Sequence, residues 1–373
     1  VTPSSNFSAA ATTLGSAQGS LAAYLDRGWA RSDTGLASAF GALLGAETVA
    51  AYNEILNALS SPGLLQNNRV VQDMLPSLLS DTLDCPLSGG GNVLRSEGDC
   101  FWLNIGFTWS DYTGDDGPSA ETGGSVFSIG AQREFAPGWF ASASFGHLDS
   151  NIEQGAFRSD GDTEMLSLGL KREAGPWSLG LSTAYASGDF DNQRSLPFTD
   201  TPTVMESGSD VDVLAGRGRA SYQFDFGQWY LRPALDLDLV YTKMGDVRET
   251  VSGNFALDVM GESSTDVYVE PHVEVGGRVK WGTASARAYL DTGVRLAPGD
   301  DFSYDARFQT STNSNDTFEI SRKKPLATAM VTAGTQLEIT DRLDFRFEYN
   351  LQANESYRWQ SASGRLNWQF EGL

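Results

Sequence analysis

From Phe101 to Phe370 apolar and polar residues alternate along the chain, in stretches separated in strict turn by one long polar loop and one very short turn. A period of two sends neighbouring side chains to opposite faces of a sheet, so each stretch reads as a strand with one apolar and one polar face. Twelve such strands are predicted, with cores at Phe101–Ser110, Gly124–Glu134, Trp139–Asp149, Thr163–Glu173, Trp177–Asp189, Asp210–Phe224, Trp229–Lys243, Asp266–Val279, Thr283–Leu296, Leu326–Ile339, Leu343–Gln352 and Tyr357–Phe370. Roughly ten residues is the length a tilted strand needs to cross a bilayer. In the eleventh, Leu343, Phe345, Phe347, Tyr349 and Leu351 fall on one face and Asp344, Arg346, Glu348, Asn350 and Gln352 on the other. The seventh repeats this, with Leu231, Leu235, Leu237 and Leu239 opposed to Arg232, Asp236 and Asp238.

Alternation alone also suits a soluble sandwich, in which the apolar row would enter a shared core. The turns separate the two. Phe135-Ala136-Pro137-Gly138, Ala174-Gly175-Pro176, Phe226-Gly227-Gln228, Lys280-Trp281-Gly282 and Thr340-Asp341-Arg342 are all short, and Trp139, Trp177, Trp229 and Trp281 cluster on them. Long loops on one side, tight turns on the other and an aromatic girdle at the tight-turn interface are the marks of an outer-membrane barrel. The expected fold is therefore an all-β transmembrane barrel of about 12 antiparallel strands, closed, with long loops extracellular and both barrel ends periplasmic. Backbone amides in lipid must be satisfied within the protein, and a closed barrel does this without the run of ~20 apolar residues that a helix would need.

The polar faces assign a wall of mixed charge to the lumen: Arg217, Arg219, Arg232, Asp236, Asp238, Glu270, Glu274, Arg278, Arg287, Asp291, Arg295, Asp344, Arg346 and Glu348. The chain's net charge of −22 argues against nucleic acid as a partner. Much of the acid is expected in long loops, such as Asp111, Asp115, Asp116 and Glu121, or Asp160 and Asp162. There it serves solubility or, through divalent cations, contact with lipopolysaccharide. No metal-ligand spacing and no cofactor motif is present.

Residues 1–84 change character and read as a helical leader. Ser8–Leu25 is built of small residues with sparse Leu and Tyr, Ala46–Leu59 has helical spacing, and a more apolar helix follows through Val70, Met74, Leu78 and Leu79, with a kink expected at Pro76. The leader is either a small bundle outside the membrane or the source of a lumen plug. For a plug, Ser8–Leu59 is the expected segment, because an apolar helix against a charged wall would strand buried charges. Residues 85–100 form a linker around Gly89, Gly90 and Gly91, closed by a disulfide between Cys85 and Cys100, and residues 101–373 form the barrel. No signal peptide opens the chain at Val1-Thr2-Pro3, and since an envelope barrel needs one, the sequence is expected to be a mature or partial product.

The order of a helical leader, Asn57-Ala58-Leu59-Ser60-Ser61-Pro62, an apolar helix, Asp84-Cys85-Pro86, and Glu97-Gly98-Asp99-Cys100-Phe101-Trp102 before a twelve-strand barrel resembles the C-terminal translocator region of autotransporters, the type V secretion proteins. The resemblance covers nearly the whole chain, with Ser61 a small departure from a Leu-Ser-Pro pattern. It implies insertion by the barrel-assembly machinery, an α-helix in the lumen, a monomeric barrel, and an upstream passenger exported and displayed at the cell surface. It also implies an assembly signal at the end of the barrel, which Gly364, Leu366, Trp368 and Phe370 resemble, although Glu371-Gly372-Leu373 follow.

An intrinsic outer-membrane hydrolase is the enzymatic alternative. It would need a serine with a base in reach, but only His147 and His272 are available, Ser142 and Ser144 lie on a strand face without a nucleophile elbow, and His272 is expected in a lumenal network between Glu270 and Glu274. No enzymatic activity is expected. Asn67-Asn68 is a weak candidate for self-cleavage by asparagine cyclisation, opposed by the simpler role of capping a helix start. A plugged channel or a structural anchor within an envelope complex is the remaining alternative.

Overall fold

The computed structural model describes residues 6–8, 15–87, 96–113, 118–199, 203–250, 254–281, 284–299, 301–340 and 342–370. Four α-helices come first: α1 (Ser16–Ala30), α2 (Ala37–Leu44), α3 (Val49–Ser60) and α4 (Leu64–Leu83). A two-stranded pair follows, β1 (Pro86–Leu87) with β2 (Ser96–Glu97), then β3 (Cys100–Tyr112), β4 (Ala120–Ala136), β5 (Trp139–Gln154), β6 (Phe157–Ala174), β7 (Trp177–Leu196) and β8 (Thr203–Tyr222). The second half holds β9 (Phe224–Phe226), β10 (Trp229–Met244), β11 (Val247–Arg248), β12 (Leu257–Val259), β13 (Glu262–Trp281), β14 (Ala284–Leu296), β15 (Phe302–Phe308), β16 (Phe318–Arg322), β17 (Ala327–Thr340), β18 (Leu343–Ala353) and β19 (Tyr357–Gln369).

The large sheet runs β13-β14-β17-β18-β19-β3-β4-β5-β6-β7-β8-β10, with β9 completing the short-turn end of β8, and a β10–β13 pairing closes it. The expected twelve-strand barrel is thus formed, with every neighbour antiparallel and the last strand, β19, laddered against the first, β3. Each strand exposes its apolar row outward, as in Leu166, Leu168 and Leu170 of β6 or Leu235, Leu237 and Leu239 of β10. Closure leaves no open edge in lipid.

One expectation changes here, that of acids in long loops: Asp111 lies on β3 and Glu121 opposite it on β4, both exposed. Asp160 and Asp162 are not in a long loop: β5 and β6 continue to a tight turn at Gly155 and Ala156, so both aspartates sit on strand and face outward. The alternation persists beyond the hydrophobic belt because the inward row, including Ile152 and Phe157, still has something apolar to bury. Asp115 and Asp116 lie outside the described residues, as do Gly89 to Gly91 and Glu371 to Leu373.

At the long-loop end, β11-β12-β15-β16 form a separate four-stranded sheet from two of the loops. α1, α2 and α3 pack there, with Leu21, Leu25, Leu36 and Leu56 fully buried. α3 is capped by Thr48, whose Oγ1 accepts from the Ala51 amide at 3.1 Å, and ends at Ser61, which takes a left-handed conformation at φ 50°. The chain then turns through Pro62-Gly63 into the barrel. A Cβ on Gly63 would stand 2.2 Å from the Phe157 ring, so the turn admits glycine there and little else.

Candidate functional site: the lumen

The helix inside the barrel is α4, which corrects the expectation that Ser8–Leu59 supplies it. Its twenty residues extend about 30 Å, the depth of a bilayer core. The reason an apolar helix is accepted lies in the wall. The inward row of β7 reads Ser178, Gly180, Ser182, Ala184, Ala186 and Gly188, all buried, and forms a shallow trough rather than a charged face. Leu83 methyls would lie 3.0 Å from a Cβ on Gly180 and Val71 3.2 Å from one on Gly188. The Ser182 hydroxyl donates to the Leu79 carbonyl at 3.2 Å. The assigned helix runs through Pro76.

The opposite face of α4 is polar and meets the charged wall. Asp81 accepts from Arg346 Nη2 at 2.8 Å, Arg365 Nη1 at 3.0 Å and Asn104 Nδ2 at 3.2 Å. Ser80 Oγ accepts from Arg217 Nη1 at 2.6 Å and from Arg219 Nη2 at 2.9 Å. Gln72 donates to Thr242 at 2.7 Å, and Asp73 accepts from the Tyr357 hydroxyl. The Arg69 guanidinium lies 3.3 Å from the Tyr357 ring centroid. These partners come from β3, β8, β10, β18 and β19, so the helix is held from around the barrel.

The wall also neutralises itself. Arg217 makes a bidentate pair with Asp238 (2.7 and 2.6 Å) and reaches Glu270 at 2.9 Å and Asp236 at 3.0 Å. Asp236 also accepts twice from Arg219, at 2.8 and 2.6 Å. Arg295 pairs with Glu270, and Arg278 lies 3.7 Å from Glu338. Arg287 lies 3.7 Å from Glu274, and Arg232 donates to Ser221 at 3.1 Å. Asp344 accepts from Asn367 at 2.7 Å, and Glu348 takes Arg346 at 2.9 Å and the Tyr289 hydroxyl. Buried ions of this kind are tolerated when paired and hydrogen-bonded on their remaining positions. Between α4 and this charged side remains a cavity of about 200 Å³.

Several gripping residues escaped the sequence reading. Lys171 Nζ donates to the Leu83 carbonyl at 2.5 Å and pairs with Glu97, whose carboxylate also accepts from the Cys85 amide at 2.9 Å. Arg365 donates to the carbonyl of Asp84 at 2.6 Å. Both Lys171 and Arg365 fall on the inward parity of their strands and were legible on that basis. Arg194 was not, because it lies beyond the expected end of its strand. It is buried, makes a bidentate pair with Glu249 and donates to the Ala58 carbonyl at 2.7 Å.

Cys85 and Cys100 are bonded and buried beside Trp102, at a Cα separation of 6.4 Å, which ties the foot of α4 to the first barrel strand. Trp139, Trp177 and Trp229 are exposed at the short-turn end, while the side chain of Trp281 lies outside the described residues. Leu366 and Trp368 face outward on β19, Gly364 shares their parity, and Phe370 follows the strand, also exposed. Asn67 and Asn68 do not cap a helix start: α4 begins at Leu64 and both are buried inside it, with Asn67 Nδ2 donating to Asn192 at 2.8 Å and Ser209 at 2.9 Å. Ser142 and Ser144 point inward, where they bond Thr82 and Ser167. His147 points outward to Glu164 at 2.9 Å and Asp149 at 3.1 Å, so serine and histidine are on opposite faces of one sheet. His147, Asp149 and Asp162 form the one grouping of metal-capable side chains among the described residues. His272 bonds Asp291 at 2.8 Å within the lumenal network.

The autotransporter β-domain profile matches residues 101–350. No curated protein sequence matches the chain. Among solved structures, the translocator domain of the autotransporter NalP from Neisseria meningitidis aligns with a TM-score of 0.66 at 14% identity, covering 82% of this chain and 98% of that one. The β-domain of the Bordetella autotransporter BrkA aligns at 0.53 and 14% identity, over 73% and 100% of the two chains. The transport unit of AIDA-I from Escherichia coli aligns at 0.52 and 13% identity, over 82% and 99%. With the family profile spanning the greater part of a closed twelve-strand barrel, this chain belongs to the autotransporter β-domain family and is a passenger-exporting barrel of the outer membrane.

Proposed function

We propose that α4 is the stretch of chain left in the lumen when export ends, that it plugs the barrel, and that the long loops are extracellular with both barrel ends periplasmic. The observation that carries this reading is the grip on α4 by side chains from around the wall, above all Asp81 between Arg346 and Arg365. The charged wall is then a plug seat rather than a selectivity filter, and no turnover chemistry is assigned to it. Asn67, bonded to Asn192 and Ser209, serves as an anchor in this reading, and cleavage at Asn67-Asn68 is the weaker assignment. Gly364, Leu366, Trp368 and Phe370 are assigned to recognition by the barrel-assembly machinery, and the outward acids above the apolar belt to lipopolysaccharide contact. The barrel works as a monomer, because its ladder closes on itself.

Conductance in planar bilayers tests the plug. The full chain should conduct little, removal of residues 1–60 should change this only modestly because α4 stays seated, and removal of residues 1–83 should open a large, stable channel. A passive channel is the alternative, favoured by the cavity beside α4. Equal conductance of the full and the shortest chain would replace the plug reading with that one.

A further inference from the structure

The helical segment upstream of α4 is seated on the small sheet β11-β12-β15-β16, whose strands come from two different loops. Tyr24 of α1 lies with ring centroids 6.1 Å from Phe308 and 5.4 Å from Phe318, and all three rings are buried. Around this apolar centre the contacts are polar and specific. Arg27 donates from Nε to Asp316 at 3.0 Å and from Nη2 to the Thr317 carbonyl at 2.9 Å, and Arg31 also pairs with Asp316. The Glu319 amide donates to Ser20 Oγ at 2.7 Å. Asp33 accepts from the Thr312 amide at 3.1 Å and the Ser311 hydroxyl at 2.9 Å. The Thr310 hydroxyl donates to the Gly35 carbonyl at 2.7 Å, and a Cβ on Gly35 would lie 1.6 Å from the Thr310 carbonyl oxygen, so the backbones touch where only glycine fits.

We propose that this loop sheet is a docking platform for residues 16–44, on which they fold after leaving the lumen, and that they stay bound to it by non-covalent contacts alone. The segment is joined to the barrel only through α3 and α4, yet the buried Tyr24 ring and the ion pairs of Arg27 and Arg31 lead to loops some three hundred residues downstream in the chain, while Phe40 packs within the leader on Phe7 and Trp29. α4 occupies the lumen, and α1 and α2 lie at the long-loop end against the loop sheet, so they meet the platform outside the lumen. Anything upstream of residue 16 is thereby held at the mouth even when the peptide chain behind it is cut. The inference rests on the long loops being extracellular.

The test uses the full chain with a specific protease site inserted after Ala46, in the exposed connection between α2 and α3. On intact cells the wild-type chain should be cut there and the upstream fragment should remain with the washed cells. Gly35→Val, and separately Asp33→Ala with Asp316→Ala, should speed its release at least about tenfold, since contact losses appear mainly in the off-rate. Heat-modifiable migration of the barrel in each variant verifies that the barrel itself is closed. Immediate release from the wild-type chain, or equal retention in both variants, overturns the inference. A site cut only in lysed cells overturns the orientation first, and the platform with it.

Discussion

At the scale of single residues, the lumen is held by counting charges. Asp81 is the carboxylate that α4 offers to both Arg346 and Arg365, and those guanidiniums are almost fully shielded from water, with side-chain exposures of 5% and 1%. Replacing Asp81 by asparagine keeps the shape and removes the charge that both arginines face. Glu348 remains beside Arg346, but Arg365 is left with neutral partners. Breaking a buried pair in this way costs roughly 3 kcal/mol, whereas loss of the exposed Arg158–Glu153 pair, 3.7 Å apart, should be lost in the noise. Asp81→Asn should therefore lower the denaturant midpoint of the folded chain clearly and Arg158→Ala should leave it in place. Equal midpoints in the two variants would mean that the arginines are solvated and the helix is not gripped there.

Among elements, the two that matter most differ in how sequence betrays them. The barrel strands are legible because a period of two is simple, and inward parity also names the charged wall from sequence alone. α4 conflicts with the charged wall only when the wall is taken as a whole, and a single sector, the small-residue row of β7, receives its leucines. Reading the even positions of β7 alone, from Ser178 to Gly188, would have shown the trough that fits Leu79, Leu83 and Val71. The seating of α1 and α2 on the loop sheet is illegible for a different reason: its contacts join Asp33 and Arg27 to Ser311, Thr312 and Asp316, and nothing in local periodicity pairs positions so far apart. The same contacts set its response to acid. Burial alone would raise both carboxyls, but the Thr312 amide and the hydroxyls of Ser311 and Thr312 hold Asp33 below its ordinary 3.8, and Arg27 and Arg31 do the same for Asp316. A carboxyl with a depressed folded value stabilises fully above the unfolded value and loses that contribution as pH falls through the folded one. Docking should thus be constant above about pH 4 and weaken below it. In the cut chain, fragment release should rise on lowering the pH from about 5 to about 3, and Asp33→Asn with Asp316→Asn should flatten that rise. Release that is independent of pH across this window would show that the two carboxylates add nothing to docking.

On the scale of the whole molecule, the path of the chain carries the directional argument. The foot of α4 is fixed at the short-turn end by the Cys85–Cys100 bond, by Glu97 and by Lys171, directly beside the start of the first barrel strand. Its other end emerges among Phe157, Arg194 and Glu249, at the long-loop end, where α1, α2 and α3 pack on the loop sheet. The chain therefore threads the barrel once, and the described residues before Leu64 lie on the side of the long loops. In the proposed orientation that side is the cell exterior, and the exposed Trp139, Trp177 and Trp229 mark the periplasmic interface. Because the two native cysteines are paired, single added thiols report on sidedness without background. A membrane-impermeant maleimide applied to intact cells should label Asn315→Cys, exposed in the loop between β15 and β16, and should reach Gln228→Cys, in the short turn before β10, only after the outer membrane is permeabilised. Labelling of Gln228→Cys from outside, with Asn315→Cys protected, would invert the barrel and leave the threaded helix pointing its passenger into the periplasm.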